Sequence, residues 1–317
     1  MKIGNVQVHG RVVLAPMAEY GNLPFRLLAK EFGAALVYTE MAMARDVARR
    51  DRRELRLLRT KPAERPVAAQ LCGREAAELA EAARVAESLG FDIVDLNVSC
   101  PIARILKQGA GGALMAEPEA VGRLVAAMAA AMRLPVMVKI RSGPEAGRIN
   151  AVEISRVCEA AGAAAIALHP RTVAEPFGGE ADWPLIAQVK QAVRIPVIGS
   201  GDIRTPQRVR EMLHATGCDA VMAARGCLGR PWFFREANHL LNTGRPLPPP
   251  SPAQVKQIML RHFKLLKEHA GESQAALLLR RHLPYYARAM GREGDFGKAV
   301  RNVRTAREFE EAVREFL

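Results

Sequence analysis

The chain has 317 residues, 49% of them hydrophobic, and this length exceeds what one hydrophobic core usually organises, so we expect a large domain followed by a small one. Its formal net charge of +13 and its pI near 10.0 favour a polyanionic partner such as nucleic acid, although a basic solubilising surface would give the same composition. The five cysteines form no Cys-x-x-Cys pair, so we expect neither a metal site nor a disulfide framework. Neither a secretory leader nor a run of about 18 apolar residues is present, so we expect a cytoplasmic protein with no membrane contact.

Short apolar runs alternate along the chain with stretches of helical spacing. Eight runs are predicted to be strands: residues 12–17, 35–41, 66–73, 91–97, 135–140, 164–169, 196–203 and 220–225. Four stretches between them are predicted to be helices: residues 74–89, 118–132, 150–161 and 206–216. The strands are apolar on consecutive residues, which is typical of parallel strands buried on both faces. This pattern predicts an α/β fold, a (β/α)8 TIM barrel, with a doubly wound parallel sheet as the alternative.

A proline-rich segment after the last βα unit predicts a domain boundary. The sequence RPLPPPSP, which begins at Arg245, suits neither helix nor strand. We therefore expect a barrel over residues 1–244 and a small all-α domain over residues 245–317. Between Arg280 and Arg307 this second part carries eight Arg or Lys against two acids, with Tyr285 and Tyr286 among them. Such a mixture suits phosphate contacts and base stacking in RNA, although a solvated helix face would look similar.

The fourth predicted strand ends in reactive side chains. It turns polar at Asp95 and Asn97, and Cys100 follows directly before Pro101. Active sites of TIM barrels lie at the C-terminal ends of the strands, so Cys100 is a candidate catalytic residue rather than a core cysteine. The glycine-rich segment 109–112 that follows is predicted to be a lid over it.

Other strands end in residues suited to a phosphorylated cofactor. Gly199–Asp202 and Ala224–Gly226 follow the last two strands, where TIM barrels frequently bind phosphate. Lys139 ends the fifth strand and needs an anionic partner, because an unpaired buried ammonium is costly. Gln70 and the Ala15–Met17 segment are predicted to face the same mouth.

These motifs, in this order, resemble the tRNA dihydrouridine synthase family over nearly the whole chain. The residues that carry the resemblance are the D-x-N-x-x-C-P of Asp95 to Pro101 with the following G-A-G, the A-P-M of Ala15 to Met17, the K-I-R-S-G of Lys139 to Gly143, the H-x-R-T of His169 to Thr172, the G-x-G-D-I of Gly199 to Ile203 and the G-R-P-W of Gly229 to Trp232. The chain departs from the family pattern at four places. Glu19–Asn22 replaces the more usual G-x-T-D/N after A-P-M, and Ser200 stands where Asn is commoner. Pro170 follows His169 where Gly is usual, and Ala224 replaces a usual Gly in the phosphate turn.

The resemblance implies an FMN-dependent oxidoreductase that uses NADPH or NADH to reduce the C5=C6 bond of uridines in tRNA, with rRNA as an alternative substrate. Hydride addition at C6 of uracil requires a proton at C5, and the thiol of Cys100 is placed to supply it. The residues expected to bind the cofactor are Pro16, Met17, Ala18, Gln70, Lys139, His169, Ser200, Gly201, Asp202, Ala224 and Arg225. The residues expected to bind the substrate are Asn97, Arg141 and Arg171.

Two other functions are compatible with these residues. A free-pyrimidine or dihydroorotate-type flavin dehydrogenase would share the cofactor residues but would not need a basic helical domain. A non-catalytic RNA-binding barrel would not need Cys100. The sequence leaves the oligomeric state open, with a monomer as the expectation.

Overall fold

The computed structural model describes residues 1–175 and 178–316. Its strands are β1 (Lys2–Ile3), β2 (Val6–Gln7), β3 (Val12–Leu14), β4 (Val37–Tyr38), β5 (Ala42–Met43), β6 (Val67–Cys72), β7 (Ile93–Val98), β8 (Val136–Arg141), β9 (Ala165–His169), β10 (Val197–Ser200) and β11 (Ala220–Ala223). Its α-helices are α1 (Leu23–Glu31), α2 (Ala44–Ala48), α3 (Arg52–Leu57), α4 (Ala76–Ser88), α5 (Ala103–Leu106), α6 (Pro118–Ala131), α7 (Ala151–Ala160), α8 (Trp183–Ala192), α9 (Pro206–Thr216), α10 (Phe233–Thr243), α11 (Pro252–Ala270), α12 (Glu272–Arg280), α13 (Leu283–Ala289), α14 (Phe296–Ala299) and α15 (Ala306–Phe316). Short 3₁₀ helices span Pro62–Glu64, Gly111–Ala116, Arg225–Cys227 and Val300–Asn302. Within the described ranges, no helix combines the length and the apolar character needed to cross a membrane.

Eight of the strands form one parallel barrel. Hydrogen-bonded neighbours follow the order β3, β11, β10, β9, β8, β7, β6, β4, and β5 pairs with the C-terminal part of β6. Backbone hydrogen bonds from Ala35 N to Val12 O (2.8 Å) and from Leu14 N to Leu36 O (2.9 Å) join the two ends of this order. The closed ring confirms the predicted (β/α)8 barrel. The doubly wound alternative is wrong, because an open sheet would leave those two edges apart.

Successive side chains of each barrel strand point alternately into the barrel and towards the surrounding helices. On β7, for example, Ile93 packs inside the barrel, whereas Val94 and Leu96 pack in the layer beneath the helices. The interior is filled by small and medium side chains, and the β1–β2 hairpin adds Ile3 from the N-terminal end of the barrel. Polar residues on the inward row at the C-terminal ends of the strands therefore face the mouth of the barrel.

The C-terminal helices pack around an apolar cluster of their own. This cluster includes Val255, Phe263 and Phe309, and Trp232 from the barrel side joins it. Helix α1 of the barrel packs on α11, where Leu28 meets Leu265. The all-α C-terminal region expected from the sequence is confirmed, and an apolar interface joins it to the barrel.

Two buried histidines lie where the C-terminal helices meet α1. The rings of His262 and His282 are 4.7 Å apart between centroids, and the ring of His282 is 4.9 Å from that of Phe25. Nδ1 of His262 lies 3.2 Å from Oη of Tyr286, whereas Nε2 of His262 and both ring nitrogens of His282 have no hydrogen-bond partner among the described residues. Burial, reinforced by Arg281, lowers the pKa of His282 to about 3, and burial also lowers the pKa of His262 well below its ordinary value. Both rings are therefore neutral in the folded protein at pH 7.

We expect the free energy of unfolding to fall as the pH is lowered from 7 to 5. The folded-state pKa of His282 lies below the unfolded value of about 6.5, so the unfolded chain takes up its proton first. The stabilisation is complete above that unfolded pKa and is lost progressively as the pH falls towards the folded pKa. At pH 5 the contribution of His282 alone should have dropped by roughly 2 kcal/mol.

Urea titrations of the wild type and of His282→Phe at pH 7, 6 and 5 measure this effect. Phenylalanine keeps a ring of similar shape and has no ionisable nitrogen, so the variant should lose less stability between pH 7 and 5. Equal pH slopes in the two proteins would contradict the assignment.

Candidate functional site

The residues predicted to form a site converge at the C-terminal mouth of the barrel. The inward-facing side chains at the strand ends are Gln70 on β6, Asn97 on β7, Lys139 and Arg141 on β8, His169 on β9 and Ser200 on β10. The remaining predicted residues lie on the connections that follow the strands: Pro16, Met17 and Ala18 after β3, Cys100 after β7, Arg171 after β9, Gly201 and Asp202 after β10, and Ala224 and Arg225 after β11. The topology thus brings the whole predicted set to one end of the barrel.

A buried hydrogen-bond network joins β6 to β7. Nε2 of Gln70 donates to Oδ2 of Asp95 at 2.7 Å, and Nδ2 of Asn97 donates to Oε1 of Gln70 at 3.0 Å. Oδ1 of Asn97 accepts hydrogen bonds from the backbone N–H groups of Ser99 and Cys100, both at 2.9 Å. Asn97, expected from the sequence to bind substrate, therefore holds the turn that carries Cys100.

Cys100 lies at the mouth with only 9% of its surface exposed. Ile102 follows it by two residues and begins helix α5 as its N-cap. Burial raises the pKa of the thiol, and the N–H of Ile102 together with the nearby Arg141 and Lys139 only partly opposes this rise. The thiol consequently keeps its proton at neutral pH, as a general acid must.

The glycine-rich segment expected to be a lid is packed closely beneath Cys100. The N–H of Gly112 donates to the Cys100 carbonyl at 2.9 Å, and both Gly111 and Gly112 are buried. A methyl group at Gly111 would lie 3.0 Å from Cβ of Cys100, and one at Gly112 would lie 2.9 Å from the Cys100 carbonyl oxygen. In this structure the segment supports the cysteine turn rather than covering an open cavity.

Two cations from β8 flank the thiol. Nζ of Lys139 lies 3.5 Å from Oγ of Ser99, and Arg141 donates from Nε to the Ser99 carbonyl and from Nη1 to the Thr172 carbonyl, both at 2.8 Å. Burial lowers the pKa of Lys139, Arg141 lowers it further, and Asp95 and Cys100 oppose the effect.

The anionic partner expected for Lys139, a reduced flavin, stays a prediction, but one carboxyl group, that of Asp95 on β7, lies in the layer below Lys139. Asp95 is fully buried, and burial raises the pKa of its carboxyl group against the opposing effects of Gln70 and Lys139. Its Oδ1 has no hydrogen-bond partner among the described residues.

Arg171 and Asp202, predicted separately, form a salt bridge. Nη2 of Arg171 lies 2.9 Å from Oδ2 of Asp202, and the guanidinium also donates to the carbonyls of Gly178 and Gly179 at 2.7 and 2.6 Å. Nη1 of Arg171 lies 3.5 Å from Nε2 of His169. Burial and the surrounding cations lower the pKa of His169 to about 2, so this imidazole is neutral. The Arg171 side chain is thus committed largely to organising the loops after β9 and β10.

A small cavity of about 50 Å³ lies between the ends of β10 and β11. Its walls include Ser200, Gly201 and Arg225, together with Gly226 at the 3₁₀ turn. A side chain at Gly226 would collide with the Ile203 carbonyl, so the turn needs glycine there. Ala224 has a φ of −118°, which is outside the left-handed region that favours glycine. Backbone N–H groups and a guanidinium around a small cavity suit a phosphate group.

This cavity continues into a basic groove of about 530 Å³ between the barrel and the C-terminal helices. The two share Arg204, Arg225 and Gly226. Arg230 and Arg288 also line the groove, as do Trp232, Pro249, Pro250 and Tyr285. Its charge suits a polyanionic ligand.

The connection after β3 is folded by its own backbone. The Met17 carbonyl accepts hydrogen bonds from the N–H groups of Tyr20 (3.2 Å) and Gly21 (2.7 Å). Nη1 of Arg26 in turn donates to the Gly21 carbonyl at 2.9 Å, which ties the turn to α1.

Sequence reasoning missed two residues at the mouth. Ser99 contacts both β8 cations, but it stands at an unspecified position of the D-x-N-x-x-C-P motif that contains Cys100. Arg204 lines both the cavity and the groove, and its position two residues after Asp202 was a usable signal. Within the described ranges, no group of three or more His, Cys, Asp or Glu could hold a metal ion.

Comparisons with known proteins agree on one family. The profile of the dihydrouridine synthase (Dus) family matches residues 13–317. The chain is 38% identical over 305 residues to tRNA-dihydrouridine synthase B of Xanthomonas axonopodis pv. citri, covering 96% of this chain and 92% of that protein. It is 36% identical over 319 residues to tRNA-dihydrouridine synthase B of Salmonella typhimurium, covering 100% and 99%.

Solved structures resemble the fold at low identity. A 2-naphthoyl-CoA reductase complex superposes with a TM-score of 0.60 at 14% identity, over 78% of this chain and 52% of that one. Histamine dehydrogenase from Rhizobium sp. 4-9 superposes with a TM-score of 0.59 at 13% identity, over 84% and 50%. The chain thus spans about half the length of these two proteins, and the likeness concerns the fold.

Proposed function

The chain belongs to the dihydrouridine synthase family, and we propose that it reduces uridine to dihydrouridine in tRNA with FMN as cofactor and NADPH or NADH as reductant. The single observation that carries this proposal is a protonated, buried thiol flanked by two cations at the mouth of a barrel of this family. The reaction adds a hydride and a proton across a C=C bond, which makes the protein an oxidoreductase.

The residues at the mouth fit FMN. Ser200, Gly201 and Arg225 would hold its phosphate in the cavity between β10 and β11. Lys139 and Gln70 would meet the polar edge of the ring system, since an ammonium group favours the charge that a reduced flavin carries. When bound, FMN supplies the hydride that it receives from the nicotinamide cofactor. The turn of Pro16, Met17 and Ala18, together with His169, Asp202 and Ala224, would complete the cofactor site.

Cys100 would donate the proton to C5 of uracil. The raised pKa keeps the proton on sulfur until it is needed. After transfer, the thiolate would be stabilised by the N–H of Ile102 and by the charges of Arg141 and Lys139. Asn97 holds the backbone of this turn in place through its hydrogen bonds to Ser99 and Cys100.

The RNA would lie across the mouth and the basic groove. Arg204, Arg230 and Arg288 of the groove would contact phosphates, and residues 245–317 would form the RNA-binding domain. A uridine within RNA must leave its stack to enter a barrel mouth. Contacts on both sides of the mouth would therefore hold the RNA strand that flanks this uridine. A cytoplasmic location follows from this substrate. Neither alternative function is favoured, because a free pyrimidine needs no groove and a non-catalytic barrel needs no thiol.

The proposal is tested by its cofactor and its product together. The purified protein should release FMN on denaturation and should form dihydrouridine in tRNA when supplied with NADPH or NADH. Lys139→Met should weaken FMN binding by roughly tenfold or more, as expected for a lost charged hydrogen bond. Lys264→Met, at an exposed lysine of α11, is the matched control and should bind FMN normally.

Two results would count against this proposal. A protein that neither contains nor takes up FMN would remove the cofactor assignment. Normal FMN affinity in Lys139→Met would remove Lys139 from the site.

A further inference from the structure

Ile102 is an exposed bulky apolar side chain beside the reacting thiol. It is 53% exposed, the highest value among the large hydrophobic residues that the structure describes as exposed. Single exposed hydrophobic residues are common on protein surfaces, so exposure alone carries no argument. The position of Ile102 is what sets it apart, because it lies only two residues after Cys100, on the connection that follows β7.

The carbonyl of Ile102 ties this turn to the helix that follows it. This carbonyl accepts hydrogen bonds from the N–H groups of Ile105 (2.8 Å) and Leu106 (3.0 Å), so it caps α5. Ile105 is buried against Cys72 and Cys100. The Ile102 side chain is thus an apolar projection on a rigid turn, at a fixed place next to the mouth.

The surroundings of Ile102 suit nucleic acid. Arg104 and Lys107 follow on the same short segment, and both are exposed. Arg148 and Ile149 lie on the connection after the neighbouring strand β8 and are also exposed. Cations beside an apolar projection match a ligand that offers phosphates and base faces together.

We propose that Ile102 fills the place of the extruded uridine and packs against the bases on either side of it. This inference rests on the proposed function. A uridine that enters the mouth leaves a gap in its stack, and proteins that unstack bases commonly insert an apolar side chain at such a step. Because Ile102 follows Cys100 by two residues on the same connection, this one turn positions both the side chain that fills the gap and the acid that meets the base. Ile102 is a positioning residue, since it acts on the RNA beside the reacting base.

Single-turnover formation of dihydrouridine in a tRNA transcript, at saturating pre-reduced enzyme, tests the proposal. Ile102→Ala should slow the reaction roughly tenfold or more, which corresponds to about 1.4 kcal/mol. Ile102→Met, which restores an apolar side chain of similar length, should stay within about twofold of the wild type. Leu89→Ala is the matched control, because Leu89 is 40% exposed and precedes β7 at the opposite end of the barrel. It should react like the wild type.

A second transcript separates the proposed role from a structural one. Abasic sites on both sides of the reduced uridine remove the stack that Ile102 would fill, so wild type and Ile102→Ala should react with this RNA at equal rates. The FMN content and the rate of Cys100 alkylation by iodoacetamide should be the same in both proteins. A merely structural role would alter alkylation and would leave the deficit on both transcripts.

Several outcomes would overturn the inference. Equal rates of wild type and Ile102→Ala on the normal transcript would do so, as would a deficit of Ile102→Ala that persists on the abasic transcript. A changed rate of Cys100 alkylation in Ile102→Ala, or failure of both proteins to reduce the abasic transcript, would also overturn it. If the wild type forms no dihydrouridine in any tRNA, the proposed function falls and this inference falls with it. If the wild type is active and Ile102→Ala matches it, only the inference falls.

Discussion

Replacing Cys100 with alanine is expected to slow the oxidation of pre-reduced enzyme by unmodified tRNA by roughly 10²- to 10⁴-fold, the usual cost of removing a positioned general acid. The raised pKa of the thiol means that the wild type holds the proton at neutral pH. Alanine keeps two hydrogen bonds of this turn, from the N–H of residue 100 to Oδ1 of Asn97 and from the N–H of Gly112 to the carbonyl of residue 100, because both use the main chain of residue 100. FMN content and tRNA affinity should therefore remain close to normal.

Two variants make this experiment decisive. Cys100→Ser should be as slow as alanine, since a hydroxyl is a far weaker acid than a thiol. Cys158→Ala removes a fully buried cysteine on α7, away from the mouth, and should lower stability while leaving the rate per bound flavin unchanged. If Cys100→Ala behaved like Cys158→Ala, Cys100 would be a core cysteine and not the acid.

The barrel could be predicted because its strands carry a strong signal. Runs such as residues 66–73 are apolar on consecutive positions, and β6 occupies Val67–Cys72 within that run. Helix α9 begins and ends at the predicted residues, Pro206 and Thr216, because proline suits the first turn and a glycine in left-handed conformation follows its end. Strands β1, β2 and β5 have two residues each, too few to leave a periodic pattern.

The residues that form the site could also be predicted from the sequence, but the contacts between them could not. Strand ends bring polar residues to one mouth whatever their partners, so Gln70, Lys139 and Ser200 could be placed from sequence. The partnership of Arg171 with Asp202 depends on how two loops fold against each other, 31 residues apart. Sequence spacing alone does not encode such a contact. Nor does spacing show the contacts of Asn97, whose side-chain oxygen accepts hydrogen bonds from the backbone N–H groups of Ser99 and Cys100.

The C-terminal helices contribute to the fold of the barrel as well as to its charge. Leu265 of α11 covers Leu23 and Leu28 of α1, and His282 covers Phe25. Helix α1 follows directly on the turn that carries Met17. The interface therefore lies next to one wall of the mouth, and variants that disturb it should be assayed for FMN content as well as for RNA binding.

A buried salt bridge between Arg26 and Glu64 holds α1 beside the turn that carries Met17. Breaking it is expected to lower the free energy of unfolding by about 3–5 kcal/mol. Arg26 and Glu64 are almost fully buried, with Nε of Arg26 at 2.7 Å from Oε2 of Glu64. The same guanidinium donates to the carbonyls of Gly21 (2.9 Å) and Arg59 (2.7 Å). Arg26→Met would leave the buried carboxylate of Glu64 and the carbonyls of Gly21 and Arg59 without this donor.

Chemical denaturation of four proteins tests this expectation. Arg26→Met should show the full loss, and the double variant Arg26→Met with Glu64→Leu should recover part of it, because an apolar pair leaves no unpaired charge. Arg84→Met breaks an exposed pair with Glu81 and should change stability by less than about 1 kcal/mol. Since the Gly21 carbonyl belongs to the turn closed by Met17, Arg26→Met should also contain less FMN than Arg84→Met at equal folded fraction. A small loss of stability with unchanged FMN content would mean that the Met17 turn is held by its own backbone hydrogen bonds alone.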